Sequence, residues 1–402
     1  MNILLLSSIY PIPGPENQGT KVCHFFAKEW VEMGHRVLVI HYQSTYPAPF
    51  YWAARLFQKK LAAKTGAIVY TKKETNPVYF EMDGVEVIRI PLYKTLPHGR
   101  FSIKNIKKTV DIIEGFAKKK DFAPDVIVGH FLNPQLEVIN LLKEDYNQAR
   151  TGLIFHLPAE IDMAEKLYGN ELQNLYDGVD VFGFRNEPLR RYFKSHYPKD
   201  VKSFICYSGI PESYVTKENK HHFDGEFKSY IFVGGLIERK SPAQILDALH
   251  VVYPKGNFIM HYVGGGQQKE TIQNKVTEYG MKDSVVMHGK MDRDKILALY
   301  DQSDCMIMIS KGEAYGLVYL EAMARGCITI ASRDEGMDGV IKDGFNGFLC
   351  SAGNVCELAA ILKHINSLSK EEKSTISVNA IQTAKKLTDK LVAEKYINDV
   401  IA

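Results

Sequence analysis

Residues 309–331 read Ile-Ser-Lys-Gly-Glu-Ala-Tyr-Gly-Leu-Val-Tyr-Leu-Glu-Ala-Met-Ala-Arg-Gly-Cys-Ile-Thr-Ile-Ala. The run Cys-Met-Ile-Met-Ile at 305–309 has the pattern of a buried strand. A polar turn follows at 310–313, then a helix that opens near Gly316 and stops at Gly326, whose lack of a side chain suits the left-handed position past a helix end. Residues 327–331 then form the next strand. Strand, loop, helix and strand make a βαβ unit, and such units gather ligands at the carboxyl ends of their strands.

The loop has two chemical assets. The backbone N–H groups of Tyr315, Gly316, Leu317 and Val318 open a helix and suit a phosphate-like anion, which bare Gly316 lets come close. Glu313 and Glu321 flank that position, and a carboxylate accepts the paired hydroxyl hydrogens of a sugar or ribose diol. Helical spacing puts Leu317, Leu320 and Ala324 on an apolar stripe, with Val318, Glu321 and Arg325 on another. The plain alternative for Glu321 is an ion pair with Arg325 one turn on, worth about 0.2–0.5 kcal/mol.

Glu313 and Glu321, separated by seven residues and followed by Ala-Met-Ala-Arg-Gly, resemble the E-x7-E signature of the retaining nucleotide-sugar glycosyltransferases of family GT4. Gly316, Leu317, Ala322, Met323, Ala324 and Gly326 fall in register with it. The resemblance implies that Glu313 lies near the transferred sugar, that Glu321 binds the nucleotide ribose, and that the amides between them hold the diphosphate.

Bulk properties bound the alternatives. The chain has 402 residues, room for two ordinary domains, with 45% hydrophobic and 24% charged content, typical of a globular protein. A net charge of +3 does not favour nucleic acid as a partner. Six scattered cysteines without a C-x-x-C pair fit a reducing compartment and no disulfide or zinc framework. The apolar run at 3–6 is too short for a signal peptide, and no stretch reaches the roughly 20 apolar residues of a membrane span. A cytoplasmic protein, with peripheral contact at the inner face of a membrane as an option, is the expectation.

The chain opens with a strand at 2–7, a Pro- and Gly-rich loop at 9–19, a helix at 20–34 and a strand at 37–41. No G-x-G-x-x-G follows the first strand, which counts against a dinucleotide oxidoreductase. The loop at 14–19 resembles the glycine loop facing donor diphosphate and acceptor, with Gly19 as its candidate residue. Residues 50–64 are aromatic and basic; they lie on anionic lipid, line the acceptor site, or form a solvated helix face. A second basic helix is expected at 103–120. Strands at 125–130 and 152–156 both end in histidine, His130 and His156, and the resemblance places His156 by the reacting sugar. Arg185, Arg190 and Arg191 follow another strand-like run.

The second half repeats the strand–helix alternation from residue 230. Gly234-Gly235-Leu236-Ile237-Glu238-Arg239-Lys240 offers two cations to a leaving diphosphate. Lys240 matches the family lysine, but Gly235 stands where the family carries arginine, so Arg239, Arg185 or Lys311 takes over that charge, or phosphate contact weakens. Gly265 in the Gly264–Gly266 turn, with His288 and Gly289, matches positions that run along the nucleotide.

The resemblance thus implies an α/β chain of the GT-B fold, two Rossmann-like domains facing each other across a cleft. Residues 1–212 form the acceptor domain, residues 225–385 the nucleotide-sugar donor domain, and a helix at 386–402 packs back on the first. The implied reaction moves a hexose from a UDP- or GDP-sugar to a hydroxyl of a glycan or lipid-linked acceptor, with retention, in surface polysaccharide assembly. Glu313, His156 and Lys240 are the catalytic candidates. No clustered Asp/His ligand set is evident in the sequence, so no essential metal and no cofactor beyond the donor is expected. Two other readings stay open: a GT-B nucleotide-sugar epimerase, and a non-catalytic sugar-nucleotide-binding partner protein.

Overall fold

A computed structural model describes residues 1–13, 21–65, 71–97, 99–219, 221 and 223–402, leaving aside the side chains of 58–65. The chain forms two compact units: Met1–Arg185 with Leu189–Cys206 and Ala393–Ala402, and Asn186–Pro188 with Tyr207–Val392.

The first unit is built on β1 (Asn2–Ser7), β2 (Arg36–Thr45), β3 (Val78–Met82), β4 (Val85–Tyr93), β5 (Val126–His130), β6 (Arg150–Phe155), β7 (Val181–Phe184) and β8 (Ser203–Ile205). They form one sheet in the order β3-β4-β2-β1-β5-β6-β7-β8, parallel except for β3. Its helices are α1 (Val22–Glu32), α2 (Ala48–Thr65), α3 (Ile103–Lys119), α4 (Gln135–Asp145), α5 (Pro158–Tyr168), α6 (Leu172–Asp177) and α7 (Glu187–His196). Ile3, Leu4, Leu5 and Leu6 are all buried, because helices on both faces of a parallel sheet remove the alternation of a half-exposed strand. The hairpin β3–β4 was not anticipated from the sequence. Its signal is the Asp83-Gly84 turn, where both residues take the positive φ that a two-residue hairpin demands.

The second unit carries β9 (Ser229–Val233), β10 (Ile259–Val263), β11 (Val285–Gly289), β12 (Cys305–Ile307), β13 (Ile328–Ser332) and β14 (Phe348–Cys350). All pair in parallel, in the order β11-β10-β9-β12-β13-β14. Around them lie α8 (Pro242–Val252), α9 (Lys269–Glu278), α10 (Arg293–Tyr300), α11 (Leu317–Arg325), α12 (Val355–Ser367) and α13 (Lys370–Lys385). The last helix, α14 (Asp389–Ile401), opens in this unit, and its residues from Ala393 belong to the first. There the Trp30 indole donates to the Ala393 carbonyl at 2.9 Å.

Each sheet reverses direction once. The chain leaves β9 for β10 and β11 on one side, then returns to place β12 on the other; in the first unit the same reversal lies between β1 and β5. The crevice at such a switch point, at the carboxyl ends of the strands, is where doubly wound sheets bind ligands.

Candidate active site

In the second unit the switch point lies between β9 and β12, and the loops that follow these strands supply its side chains. Lys311 N–H donates to the Arg239 carbonyl at 2.7 Å and ties the two loops together. Across that seam the Glu313 carboxylate lies 3.3 Å from Lys240 Nζ and 3.4 Å from Arg239 Nη1. Lys240 and Glu313 are each 14% exposed, whereas Arg239 is half exposed. Glu313 is held in turn by a residue beyond β13: the Glu335 carboxylate accepts from the N–H groups of Gly312 and Glu313 at 2.8 and 2.7 Å. Three loops therefore meet where helix α11 begins.

Helix α11 is bounded by two glycines in the left-handed region, Gly316 at φ +87° and Gly326 at +89°. At Gly316 the lack of a side chain has a second cause, since a Cβ would sit 2.5 Å from the Tyr319 ring. That ring is pinned by its hydroxyl, which donates to the Met308 carbonyl at 2.6 Å. Tyr315 is buried, and Leu317 and Val318 are partly buried, at the mouth whose first-turn N–H groups have no partner inside the helix.

One expectation for α11 needs correction, and the plain alternative for Glu321 is not met. The helix has no single apolar stripe: Tyr319, Leu320, Glu321, Ala322, Met323 and Ala324 are all buried, because it packs between α10, α13 and β13. Glu321 does not pair with Arg325. Arg325 makes a two-armed contact to Asp301 at 2.6 Å, and Glu321, 1% exposed, pairs with Arg293 of α10 at 2.9 Å. Burial raises the Glu321 pKa and the Arg293 guanidinium draws it back.

The glycine turns after β9 and β10 pack backbone against backbone. A Cβ on Gly264 would meet the Gly234 carbonyl oxygen at 1.9 Å, and one on Gly266 the Leu236 carbonyl oxygen at 2.3 Å. Gly265, between them, is exposed and its carbonyl accepts from Leu236 N–H at 3.0 Å. Gly289 ends β11 with its carbonyl accepting from Gly264 N–H at 2.7 Å. Next to it His288 Nε2 lies 3.0 Å from His261 Nδ1, a pairing in which one ring must be neutral.

In the first unit His156 follows β6 and is half-buried, with His130 of β5 fully buried at its side. The rings share a hydrogen bond, His130 Nδ1 to His156 Nε2 at 3.0 Å. Phe131, in the left-handed region at φ +73°, stacks on His156 with centroids 4.0 Å apart. The Glu160 carboxylate at the opening of α5 accepts from the N–H groups of His156, Leu157 and Leu132 at 2.9, 3.0 and 3.1 Å. Burial pushes the His156 pKa well below the ordinary range, helped by the neighbouring His130 ring, beside which a second proton would be a like charge, and by the Arg185 guanidinium, so the ring is neutral.

Arg185 is buried in the first unit and donates to the Cys206 carbonyl at 2.7 Å. Gly19 and the rest of the loop at 14–19 lie outside the described residues. The structure gathers Glu313, Lys240, Arg239 and residues 315–318 at one switch point, with Gly265 in the turn after β10 and His288 and Gly289 at the end of β11 in the same sheet. Sequence reasoning missed Glu335, Arg293 and Glu160. No local pattern signals the first two, which reach Glu313 and Glu321 from 22 and 28 residues away. Glu160 had a signal: it stands three residues past Leu157 at a helix start, where a carboxylate caps free N–H groups.

Residues 215–386 match the family described as glycosyl transferases group 1. Two uncharacterized glycosyltransferases of Methanocaldococcus jannaschii are similar to this chain. One is 24% identical over 50% of this chain and 54% of its own length, the other 25% identical over 84% and 93%. The N-acetyl-alpha-D-glucosaminyl L-malate synthase of Bacillus anthracis is 29% identical over 40% of this chain and 43% of its own. The chain thus spans about half the length of two of these relatives. Among solved structures, Anabaena HepE in complex with UDP superposes with a TM-score of 0.66 at 17% identity, covering 100% of this chain and 99% of that one. An Escherichia coli trehalose-6-phosphate protein bound with UDP-2-fluoro glucose gives 0.66 at 12% identity with the same coverage. The chain has the GT-B fold, and its residues 215–386 are similar to the glycosyl transferases group 1 family.

Proposed function

We propose that this protein is a retaining GT4-type glycosyltransferase that moves a hexose from a UDP- or GDP-sugar to a hydroxyl of a glycan or lipid-linked acceptor in surface polysaccharide assembly. The observation that carries the reading is the convergence of Lys240 and Arg239 on Glu313 beside the mouth of α11. Without donor, the carboxylate is the counter-ion of both cations. With donor, the diphosphate takes the cations and the first-turn amides of α11, and Glu313 turns to the sugar hydroxyls. As the bond to the anomeric carbon breaks, charge grows on the diphosphate, and positioned cations and N–H groups stabilise that state more than the ground state. Glu321, held by Arg293, receives the ribose, and the backbone around Gly265, His288 and Gly289 lies along the nucleoside. His156 faces the sugar or acceptor. Charge is neutralised by side chains and helix N–H groups with no essential divalent metal, so activity is expected to persist in EDTA.

A cytoplasmic location is part of this reading. It is supported by six free thiols, five of them buried. Among the described residues no helix is long and apolar enough to cross a membrane. Peripheral contact with anionic lipid is supported by charge segregation. Residues 33–73 and 87–110 hold thirteen Lys or Arg and no Asp or Glu, in a chain whose net charge is only +3. Both stretches leave the sheet at the carboxyl ends of paired strands β2 and β4. There Trp52, Leu56 and Phe57 of α2 are 70, 60 and 51% exposed, and Leu96 and Ile103 are exposed too.

The test is a panel of nucleotide sugars, first for thermal stabilisation and then for transfer or slow hydrolysis. A donor that binds should raise the melting temperature, by more as the logarithm of its concentration over its Kd increases. Glu313→Gln is expected to lose about 100-fold or more in kcat/KM while nucleotide affinity stays within about threefold. Unchanged activity in that variant would remove Glu313 from the site.

A further inference from the structure

The function proposed above uses His156 but does not say which of its nitrogens carries the proton. A chain of three side chains in the first unit bears on this. Tyr396, on the part of α14 that belongs to this unit, is fully buried among the rings of Phe26, Trp30 and Phe204. Among the described residues its hydroxyl has one hydrogen-bond partner, His130 Nε2 at 3.1 Å. His130 Nδ1 in turn lies 3.0 Å from His156 Nε2.

A buried phenol is stabilised by donating its hydrogen, and here it has one acceptor. Its direction therefore propagates. Tyr396 donates to His130 Nε2, so neutral His130 carries its hydrogen on Nδ1 and donates that to His156 Nε2. A neutral His156 then carries its own hydrogen on Nδ1, which has no partner among the described residues. The opposite polarity would leave the Tyr396 hydrogen buried without an acceptor, and would give His156 a bare Nδ1. Both rings are neutral: burial, with Arg185 nearby, lowers the His130 pKa to about 3 and His156 follows the same direction. Position is fixed as firmly as polarity, with Phe131 stacked on the ring and Glu160 holding the backbone N–H groups of His156 and Leu157.

We infer that Tyr396, on the last helix of the chain, is a positioning residue that acts through His130 to set His156 as a hydrogen-bond donor through Nδ1, a group suited to a sugar hydroxyl or ring oxygen and unsuited to take a proton from an acceptor. The role given to His156 at the sugar rests on the proposed function; the polarity of the chain does not.

The experiment reads polarity without substrate. Protein labelled with 15N at histidine is examined by long-range 1H–15N correlation of the ring nitrogens, with signals assigned through His130→Gln and His156→Gln. In the unmodified protein both rings are expected to show a protonated Nδ1 and an acceptor Nε2. A protonated Nε2 on His156 overturns the inference, whether or not transfer is ever detected. In Tyr396→Phe, checked for folding by its melting temperature, the two rings are expected to lose the single pattern and show mixed tautomers. An unchanged spectrum there also overturns it. Once a donor is known, the same variant should lose about tenfold in kcat with the donor KM within about twofold.

Discussion

At the scale of single residues, the glycines after β9 and β10 separate strict requirements from open positions. Gly264 has φ +135° and a Cβ there would land 1.9 Å from the Gly234 carbonyl oxygen, so Gly264→Ala is expected to destabilise by about 2 kcal/mol or more, read by chemical denaturation. Gly235 is different. A Cβ there would meet nothing closer than Ile237 Cγ2 at 3.9 Å, so the backbone accepts a side chain. Gly235→Arg is therefore expected to fold with an unchanged melting temperature and to bind nucleoside diphosphate several-fold more tightly, measured by calorimetry. No gain in affinity would mean that Arg239 and Lys240 already supply what the diphosphate can use. The two acidic residues were legible in sequence by their spacing, but their partners were not. Arg293 and Glu335 lie far along the chain, and only the sheet order brings them close.

At the scale of elements, α11 shows why the stripe expected from spacing failed. Helical periodicity reports burial only where one face meets water, and α11 is enclosed by neighbours on several sides. Glu321 is thereby placed in an apolar setting with Arg293 as its counter-ion. Arg293→Ala is expected to cost about 1–3 kcal/mol, less than a fully buried pair because Arg293 reaches solvent, and Arg293→Lys should recover part of it. Helix α2 presents the opposite case, large apolar side chains facing outward on a basic segment. Co-sedimentation with vesicles containing anionic lipid should be weakened by Trp52→Glu with Leu56→Glu and by raised salt, and should be absent with neutral vesicles. Equal binding to both vesicle types, or none to either, would count against lipid contact at this helix.

At the scale of the whole molecule, stability should carry the mark of buried neutral histidines. His41 of β2 is fully enclosed, and burial beside Arg89 lowers its pKa to about 3. The folded value lies below the unfolded 6.5, so the unfolded chain takes the proton first as pH falls. The contribution of a neutral His41 is complete above about 6.5 and is lost toward about 3. The stability difference between the parent protein and His41→Gln is thus expected to shrink by about 1.4 kcal/mol per pH unit below 6.5, measured by urea unfolding. What the sequence by itself determined is local in origin: the alternation of apolar runs and helical spacing, the glycines that bound α11, and the two glutamates eight positions apart. These follow from period and conformational preference, which act over a few residues. Tertiary structure alone decided the pairing of Glu321 with Arg293, the clamp of Glu335 on the Glu313 loop, and the line from Tyr396 to His156. Those depend on strand order and on α14 reaching the first sheet, contacts between groups that no short-range rule connects.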